Sequence, residues 1–359
     1  METSSVLYTR DACDMAEIED KSIDCIITSP PYPMIEMWDE QFAKQSPNIR
    51  TALERDDGKS AFDHMHRRLD TVWKECDRVL ADGGVICINI GDATRKIEGS
   101  FQLFPNHARI TSKLTELGLR QLPGILWRKP TNSAAKFMGA GMLGLNAYVT
   151  LEHEHILIFR KGDNRSTSGV ESKRRRESAY FWEERNQWFS DVWTDLKGVR
   201  QSIPERHKEA RKRSGAFPIQ LPLRLIEMFS IYGDTVLDPF SGTGTTQLAA
   251  AMAARSSIGY EIAEDFQTIC NERMQSAKPL SSERNQRRLE DHIHFVEKRE
   301  RENKPLKHTN DFYNFGVTSA QEKQIKLYDV SGTMRNGRTT HRFTYEPHLI
   351  QSSVFSDVL

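Results

Sequence analysis

The sequence lacks three features that would place the chain in a specialised class at once. It has no excess of either charge, because 50 basic residues balance 50 acidic ones among its 359 residues. Its five cysteines are scattered, and no pair has the spacing of zinc ligands, which excludes a disulfide-rich secreted scaffold. No window approaches the roughly 18 uninterrupted apolar residues of a membrane-spanning helix, and no basic segment followed by an apolar one opens the chain. We therefore expect a soluble cytoplasmic protein, whose attraction to nucleic acid would have to come from local clusters of charge.

Short apolar runs alternate with amphipathic segments over most of the chain. The runs IDCIIT and VICINI have the unbroken apolar character of buried parallel strands. Between them, residues 61–80 carry apolar side chains at spacings of three and four, which predicts a helix. The alternation resumes at Phe217 and continues to about residue 275. This pattern predicts an α/β fold that contains a βαβ unit of nucleotide-binding type.

Two segments interrupt the alternation. Residues 163–215 are polar and rich in aromatic side chains, with 13 Lys or Arg against 9 Asp or Glu, and they read as an inserted module. Residues 279–359 are highly charged and then β-rich, and they read as an extension. The predicted catalytic domain is thus 1–278, interrupted by 163–215. The side chains of two basic runs in the module are the predicted phosphate contacts: Lys173, Arg174, Arg175, Arg176, Arg211, Lys212 and Arg213.

A glycine-rich turn follows the predicted strand that ends at Asp238. In the motif VLDPFSGTGTT, Gly242 and Gly244 allow a tight turn and a close approach of the backbone to a ligand. The lysine of a triphosphate-binding loop is missing, which favours a mononucleotide or adenosyl ligand over ATP. Glu261 stands at the tip of the next strand, where such folds place the carboxylate that accepts both ribose hydroxyls.

The segment TSPPYP, which starts at Thr28, leaves a buried strand and enters two consecutive prolines. The prolines fix φ and remove two backbone donors, so nearby carbonyl groups are left without a ladder partner in a rigid turn. The exocyclic amine of a nucleobase needs acceptors for its N–H groups and an aromatic face to stack on. The Ser29 hydroxyl, the Pro30 carbonyl and the Tyr32 ring supply that set.

Six motifs in order are together far more specific than any one of them: TSPPYP, ADGGVICINIGD, ILWRKP, EHEHILIFRKG, AFPIQLPLRLI and VLDPFSGTGTT. Over about residues 5–275 the chain resembles the β-class amino-methyltransferases of DNA. The resemblance implies a Rossmann-like methyltransferase sheet with a circularly permuted motif order, and S-adenosylmethionine as cofactor. It also implies that 163–215 is the target-recognition region.

The resemblance assigns roles to individual residues. The catalytic set would be Ser29, Pro30, Pro31 and Tyr32. The residues that would hold the cofactor are those matching the family's cofactor motifs: Asp11, Phe217, Pro218, Asp238, Phe240, Gly242, Gly244, Thr245 and Glu261.

Ser29 bears on which base is modified. Serine in the first position of the SPPY motif resembles the cytosine-N4 subgroup, whereas adenine-N6 enzymes of the family usually have aspartate there. We therefore expect transfer to the N4 amine of a flipped cytosine in double-stranded DNA, with adenine-N6 as the alternative. A homodimer and an accompanying restriction endonuclease are compatible with the resemblance.

Other readings of the sequence remain open. Cytosine-C5 chemistry is disfavoured, because no cysteine here follows a proline. His153 and His155 would share one face of a strand, but no third ligand has suitable spacing, so no metal site is predicted. A nucleic-acid-binding module with a vestigial cofactor pocket, or methylation of RNA or of a protein amide, are the remaining alternatives.

Overall fold

The centre of the structure is a ten-stranded sheet, seen in a computed structural model that describes residues 1–129, 140–198 and 217–350. The order of its strands is β13-β14-β1-β10-β9-β2-β3-β7-β6-β8, and two further pairs, β11-β12 and β4-β5, form small ribbons. The strands of the described residues are β1 (Glu2–Tyr8), β2 (Ile23–Thr28), β3 (Leu80–Ile90), β4 (Ala93–Ile97), β5 (Ser100–Phe104), β6 (Arg120–Arg128), β7 (His153–Arg160), β8 (Val192–Trp193), β9 (Thr235–Asp238), β10 (Ser256–Tyr260), β11 (His308–Thr309), β12 (Gly316–Val317), β13 (Tyr328–Asn336) and β14 (Thr340–Pro347).

Helices cover both faces of this sheet. Met65, Leu69 and Trp73 lie on one face of the longest helix that precedes β3, and all three are buried. Leu225 and Leu248 belong to a second buried cluster. The helices of the described residues are α1 (Asp39–Gln45), α2 (Pro47–Glu54), α3 (Gly58–Val79), α4 (Asn106–Glu116), α5 (Gly169–Glu177), α6 (Trp182–Trp188), α7 (Gln220–Phe229), α8 (Thr245–Met252), α9 (Asp265–Met274) and α10 (Ala277–Arg301).

The direction of the strands fixes where a site can form. Strands β1, β10, β9, β2 and β3 are parallel, while β7 is antiparallel to β3 and β6 is antiparallel to β7. The carboxyl ends of the five parallel strands therefore share one edge with the start of β7 and the end of β6. We call this the carboxyl edge. Ligands of open α/β sheets bind outside such an edge, and the predicted α/β sheet is confirmed.

The carboxyl-terminal segment is built into the sheet. Strand β14 pairs with β1, and helix α10 lies along β13, where Asn285 donates to the Tyr328 carbonyl at 2.9 Å. The described part of the predicted inserted module packs there as well, because Phe181 shares a buried cluster with Leu289 and Val317. Of the two tryptophans in α6, Trp188 is buried, whereas Trp182 is exposed.

No helix in the described residues combines the length and the apolar character needed to cross a lipid bilayer.

Arg288 joins the module, α7 and α10. Its guanidinium donates to Glu184 at 2.5 and 2.7 Å and to Glu227 at 2.9 Å, and the side chain is nearly buried.

Replacing Arg288 by Ala would leave two buried carboxylates without this partner, so we expect the free energy of unfolding to fall by about 3–5 kcal/mol. Urea denaturation measures this, and Arg287→Ala is the matched control. Arg287 is exposed, and its ion-pair partner among the described residues is Glu283 on the same helix, so its loss should cost about 0–1 kcal/mol; equal losses would contradict the assignment.

Candidate active site

The TSPPYP turn and the glycine-rich turn meet at one cavity of about 580 Å³ on the carboxyl edge. The first turn follows β2, and the second follows β9. Most of the residues predicted from the sequence line this cavity: Asp11, Ser29, Pro30, Pro31, Tyr32, Phe217, Asp238, Phe240, Gly242, Thr245 and Glu261.

Gly244 shapes the second turn from behind the cavity. Its φ of 73° and the φ of 50° at Gly242 lie in the left-handed region that favours glycine. A Cβ atom on Gly244 would lie 2.8 Å from the Cys270 sulfur, so a side chain there has no space. Helix α8 begins at Thr245, and its amino end therefore faces the cavity. Pro218 is buried beside Phe217 and does not line the cavity.

Asp238 links the two turns. One carboxylate oxygen accepts the Thr28 hydroxyl at 2.6 Å and the Phe240 N–H at 3.0 Å, while the other accepts the Thr246 hydroxyl at 2.7 Å. Burial raises the pKa of Asp238 to about 6, although these three donors oppose the rise. Because Thr28 directly precedes Ser29, one buried carboxylate holds both the glycine turn and the strand end that carries the proline turn.

Glu261 holds the same glycine turn from the neighbouring strand. Its carboxylate accepts the N–H groups of Gly242 at 2.9 Å and Ala263 at 2.8 Å, and burial raises its pKa. Asp11 lies on the far wall, where it pairs with Arg68 and accepts the Cys13 N–H at 2.9 Å. Both carboxylates line the cavity. That either residue contacts the cofactor remains a prediction.

The hydroxyl of Tyr32 is the centre of a polar network behind the proline turn. It receives hydrogen bonds from Ser29 at 3.1 Å and from the Asn89 amide at 2.9 Å, and it donates to Glu154 at 3.0 Å. Burial and the charge of Glu154 raise the pKa of Tyr32 well above its ordinary value, so the phenol is protonated. Lys129 pairs with Glu154 at the cavity wall. The network fixes the Ser29 hydroxyl with its lone pairs available to a further donor.

Four residues of this arrangement are absent from the sequence-based set. Thr28, Asn89, Lys129 and Glu154 come from separate strand ends, and sequence spacing does not show that they converge. The alternation of EHEH did carry one signal. It places Glu154 on the opposite face of β7 from the two flanking histidines, and that face is the one toward Tyr32.

The predicted basic contacts that the structure describes do not join this edge. Arg165 pairs with Asp24 and Asp234, which lie at the amino ends of β2 and β9. The Arg174 guanidinium of α5 lies against Gly233, at the same end. The run Lys173, Arg174, Arg175 and Arg176 is therefore at the edge opposite the cavity. Arg211, Lys212 and Arg213 lie outside the described residues.

Comparison with known proteins decides the family. A model of the DNA methylase family matches residues 23–272. The chain belongs to this family. It is 52% identical over 330 residues to the type II methyltransferase M.MthZI of Methanothermobacter thermautotrophicus, covering 91% of each chain. It is 48% identical over 283 residues to the type II methyltransferase M.MjaI of Methanocaldococcus jannaschii, covering 76% of this chain and 91% of the relative.

A solved structure supports the same conclusion. A protein of Thermus thermophilus, assigned as a DNA modification methylase and solved with S-adenosyl-L-methionine, is 28% identical. The match has a TM-score of 0.59 and covers 76% of this chain and 94% of the other. The resemblance to the amino-methyltransferases of DNA is thereby confirmed, together with the methyltransferase sheet.

Proposed function

We propose that this DNA methylase transfers a methyl group from S-adenosylmethionine to the N4 amine of a cytosine flipped out of double-stranded DNA. The observation that carries the proposal is the single cavity that joins the glycine turn to the proline turn. A methyl donor held by the first turn and an amine held by the second would lie within reach of each other. A cytoplasmic location and duplex DNA as the partner belong to this proposal, and a homodimer and an accompanying endonuclease remain predictions.

The cavity fits the cofactor in charge and shape. The sulfonium of S-adenosylmethionine, when bound, supplies an electrophilic methyl group. Two carboxylates, Asp238 and Glu261, line the wall beside the glycine turn and would attract that cation. The rings of Phe217 and Phe240 add apolar surface, and the volume is that of an ordinary small-molecule site.

The proline turn suits a planar amine. The Ser29 hydroxyl donates to Tyr32, so its lone pairs can accept one amine hydrogen. In the described part of the chain no hydrogen bond reaches the Pro30 carbonyl, which can accept the other. Two acceptors favour the tetrahedral amine geometry, which localises the lone pair on nitrogen. In the transfer the new C–N bond would replace the C–S bond, whose electron pair would stay on sulfur, and one amine proton would pass to water. The target must leave the base stack to reach them.

Ser29 favours cytosine over adenine. A neutral hydroxyl at this position corresponds to the cytosine-N4 subgroup, whereas the family as a whole includes both amines. The adenine-N6 reaction would use the same acceptors and the same displacement, so the identity of the methylated nucleoside separates the two.

Methyl incorporation tests the proposal. Amplified, unmethylated genomic DNA contains every short recognition sequence, so it requires no knowledge of the site. We expect purified protein to transfer tritiated methyl groups from S-adenosylmethionine to this DNA, with inhibition by S-adenosylhomocysteine. Cofactor and DNA binding without transfer would instead favour a binding module with a vestigial pocket.

The affinity for the cofactor should depend on pH through Asp238. Its raised pKa of about 6 means that the carboxyl gains its charge as the pH rises through that value. The charged form attracts the sulfonium, so we expect binding about tenfold weaker at pH 5 than at pH 7, with proton release near pH 6. Calorimetry in buffers of different ionisation enthalpy measures both quantities. S-adenosylhomocysteine lacks the sulfonium charge and should show a smaller dependence; an equal dependence would contradict this reading.

DNA should bind at the carboxyl edge. Lys44 is exposed and lines the cavity, and Lys96 is exposed on β4. Replacing both by Ala should weaken duplex binding about tenfold and reduce its salt dependence. The double variant Lys173→Ala, Arg175→Ala removes the same charge from the opposite edge and should change the affinity less than about twofold. Fluorescence anisotropy at several salt concentrations measures the DNA affinity of both double variants. A larger loss of affinity for the Lys173, Arg175 variant than for the Lys44, Lys96 variant would instead identify α5 as the DNA contact.

A further inference from the structure

A second cluster of polar side chains lies beside the carboxyl edge, on the face of β7 turned away from Tyr32. Asp92 follows β3, His107 lies in the first turn of α4, and His155 lies in β7. Each of them offers a ligand atom, and these atoms all lie within 4.8 Å of one another. Of the two histidines of β7, His155 belongs to this cluster, and the other two ligand atoms come from other elements.

The pair of Asp92 and His107 is preorganised. The His107 Nδ1 atom lies 2.8 Å from both carboxylate oxygens, and one of these oxygens also accepts the His107 backbone N–H at 3.1 Å. Metal–ligand distances of about 2.0–2.2 Å in a tetrahedral site place neighbouring ligands roughly 3.4 Å apart, a few tenths of an ångström more than the distance observed here. The observed separation is therefore one that two ligands of a single ion can have with little movement.

His155 has no hydrogen-bonding partner in the part of the chain that the structure describes. Its ring stacks on His107, with centroids 4.0 Å apart and an interplanar angle of 15°. Within the described residues no hydrogen bond to either of its ring nitrogens is present, although the side chain is only partly exposed. A second cavity of about 550 Å³ lies over both imidazole rings and is also lined by Asp191. Two adjacent imidazole rings therefore border a cavity, and the ring nitrogens of His155 are available to a ligand there.

We propose that Asp92, His107 and His155 bind one divalent transition-metal ion of the zinc type. Imidazole nitrogen with carboxylate oxygen is the donor set that Zn²⁺ and its neighbours accept, whereas Mg²⁺ and Ca²⁺ prefer oxygen alone. Three protein ligands leave a position toward the second cavity for water.

The ion would connect elements that frame the proposed active site. Gly91 lies against the Tyr32 ring, where an added Cβ would be 3.0 Å from it, and Asp92 follows directly. His155 follows Glu154, which accepts the Tyr32 hydroxyl. Metal binding would thus join the end of β3 to the start of β7 immediately behind the proline turn. The site stands on its own geometry and does not depend on which base is methylated.

Titration with Co²⁺ and Zn²⁺ tests the site on the full-length, tag-free protein. We expect one Co²⁺ per chain with a visible absorption band, displacement by one Zn²⁺, and a rise in the melting temperature on Zn²⁺ binding. His107→Gln and His155→Gln should each weaken Zn²⁺ binding at least tenfold. His294→Gln removes an exposed histidine from α10 and should leave the stoichiometry unchanged.

Circular dichroism and the melting temperature of the metal-free variants establish that they are folded. Should His155→Gln fail to fold, Asp92→Asn provides the second test, because it keeps the shape of the side chain and removes the charge. Wild-type protein that binds no Zn²⁺ at 100 μM, or folded variants that bind as tightly as the wild type, would overturn the proposal.

Discussion

Replacing Ser29 by Ala is expected to reduce the rate of methyl transfer about 100-fold or more, with little change in the affinity for S-adenosylmethionine. The substitution removes the proposed acceptor for the amine and one donor to the Tyr32 hydroxyl. The glycine turn, where we propose that the cofactor binds, is untouched. Single-turnover transfer gives the rate, and calorimetry gives the cofactor affinity. Tyr32→Ala should have the same signature, because it removes the ring and the centre of the polar network.

Two further variants serve as a control and as a test of the polar network around Tyr32. Ser22→Ala is the matched control, since Ser22 is exposed near the amino end of β2 and its hydroxyl donates to the Glu19 carbonyl, its one partner among the described residues. Glu154→Gln keeps the shape of the side chain but removes the charge that orients the Tyr32 hydroxyl, so a smaller loss of rate should follow, again without loss of cofactor. A large fall in cofactor affinity for Ser29→Ala would refute the assignment of this turn to the amine.

Asp238→Ala is expected to produce the second large effect, a loss of cofactor affinity of about 100-fold. The change removes one of the two carboxylates that line the cavity beside the glycine turn, and it leaves three donors without an acceptor. Hydrogen bonds to a charged group contribute about 1.5–3 kcal/mol each. The sequence alone assigns Asp238 to the cofactor only. The structure adds the hydrogen bond from Thr28, so we also expect a lower transfer rate at saturating cofactor.

Single hydroxyl deletions separate the two roles of Asp238. Thr246→Val releases only the glycine-turn side, and it should weaken cofactor binding with a normal rate at saturation. Thr28→Val releases only the strand that leads to Ser29, and it should lower the rate more than the affinity. The account of Asp238 would fail if Asp238→Ala bound the cofactor as tightly as the wild type.

The parts of the site that sequence reasoning predicted are those encoded locally. The two turns are short, rigid and chemically distinctive, and each one follows a buried strand, so their meeting at one edge follows from parallel strands. The polar network behind them is different. Asn89 and Glu154 lie 57 and 122 residues from Tyr32 along the chain, and no local pattern brings them together.

Runs of charge in the sequence were the least informative about where the predicted DNA contacts lie in the fold. The run from Lys173 to Arg176 predicts phosphate contacts, and the structure places it in an exposed helix, but a run of charge does not determine which edge of a sheet that helix approaches. The ion pairs of Arg165 with Asp24 and Asp234 determine which edge α5 approaches, and they place this helix away from the cavity. The sequence of the carboxyl-terminal segment indicates strands, but it does not show that β14 would pair with the first strand of the chain.

The most direct test of the proposed reaction is the identity of the methylated nucleoside. Amplified DNA treated with the protein and S-adenosylmethionine is digested to nucleosides and analysed by mass spectrometry. The account predicts N4-methyldeoxycytidine that is absent without cofactor and that forms about 100-fold more slowly, or more slowly still, with Ser29→Ala. N6-methyldeoxyadenosine as the sole product would contradict the assignment of cytosine, and no methylated nucleoside from folded, cofactor-binding protein would contradict the transfer itself.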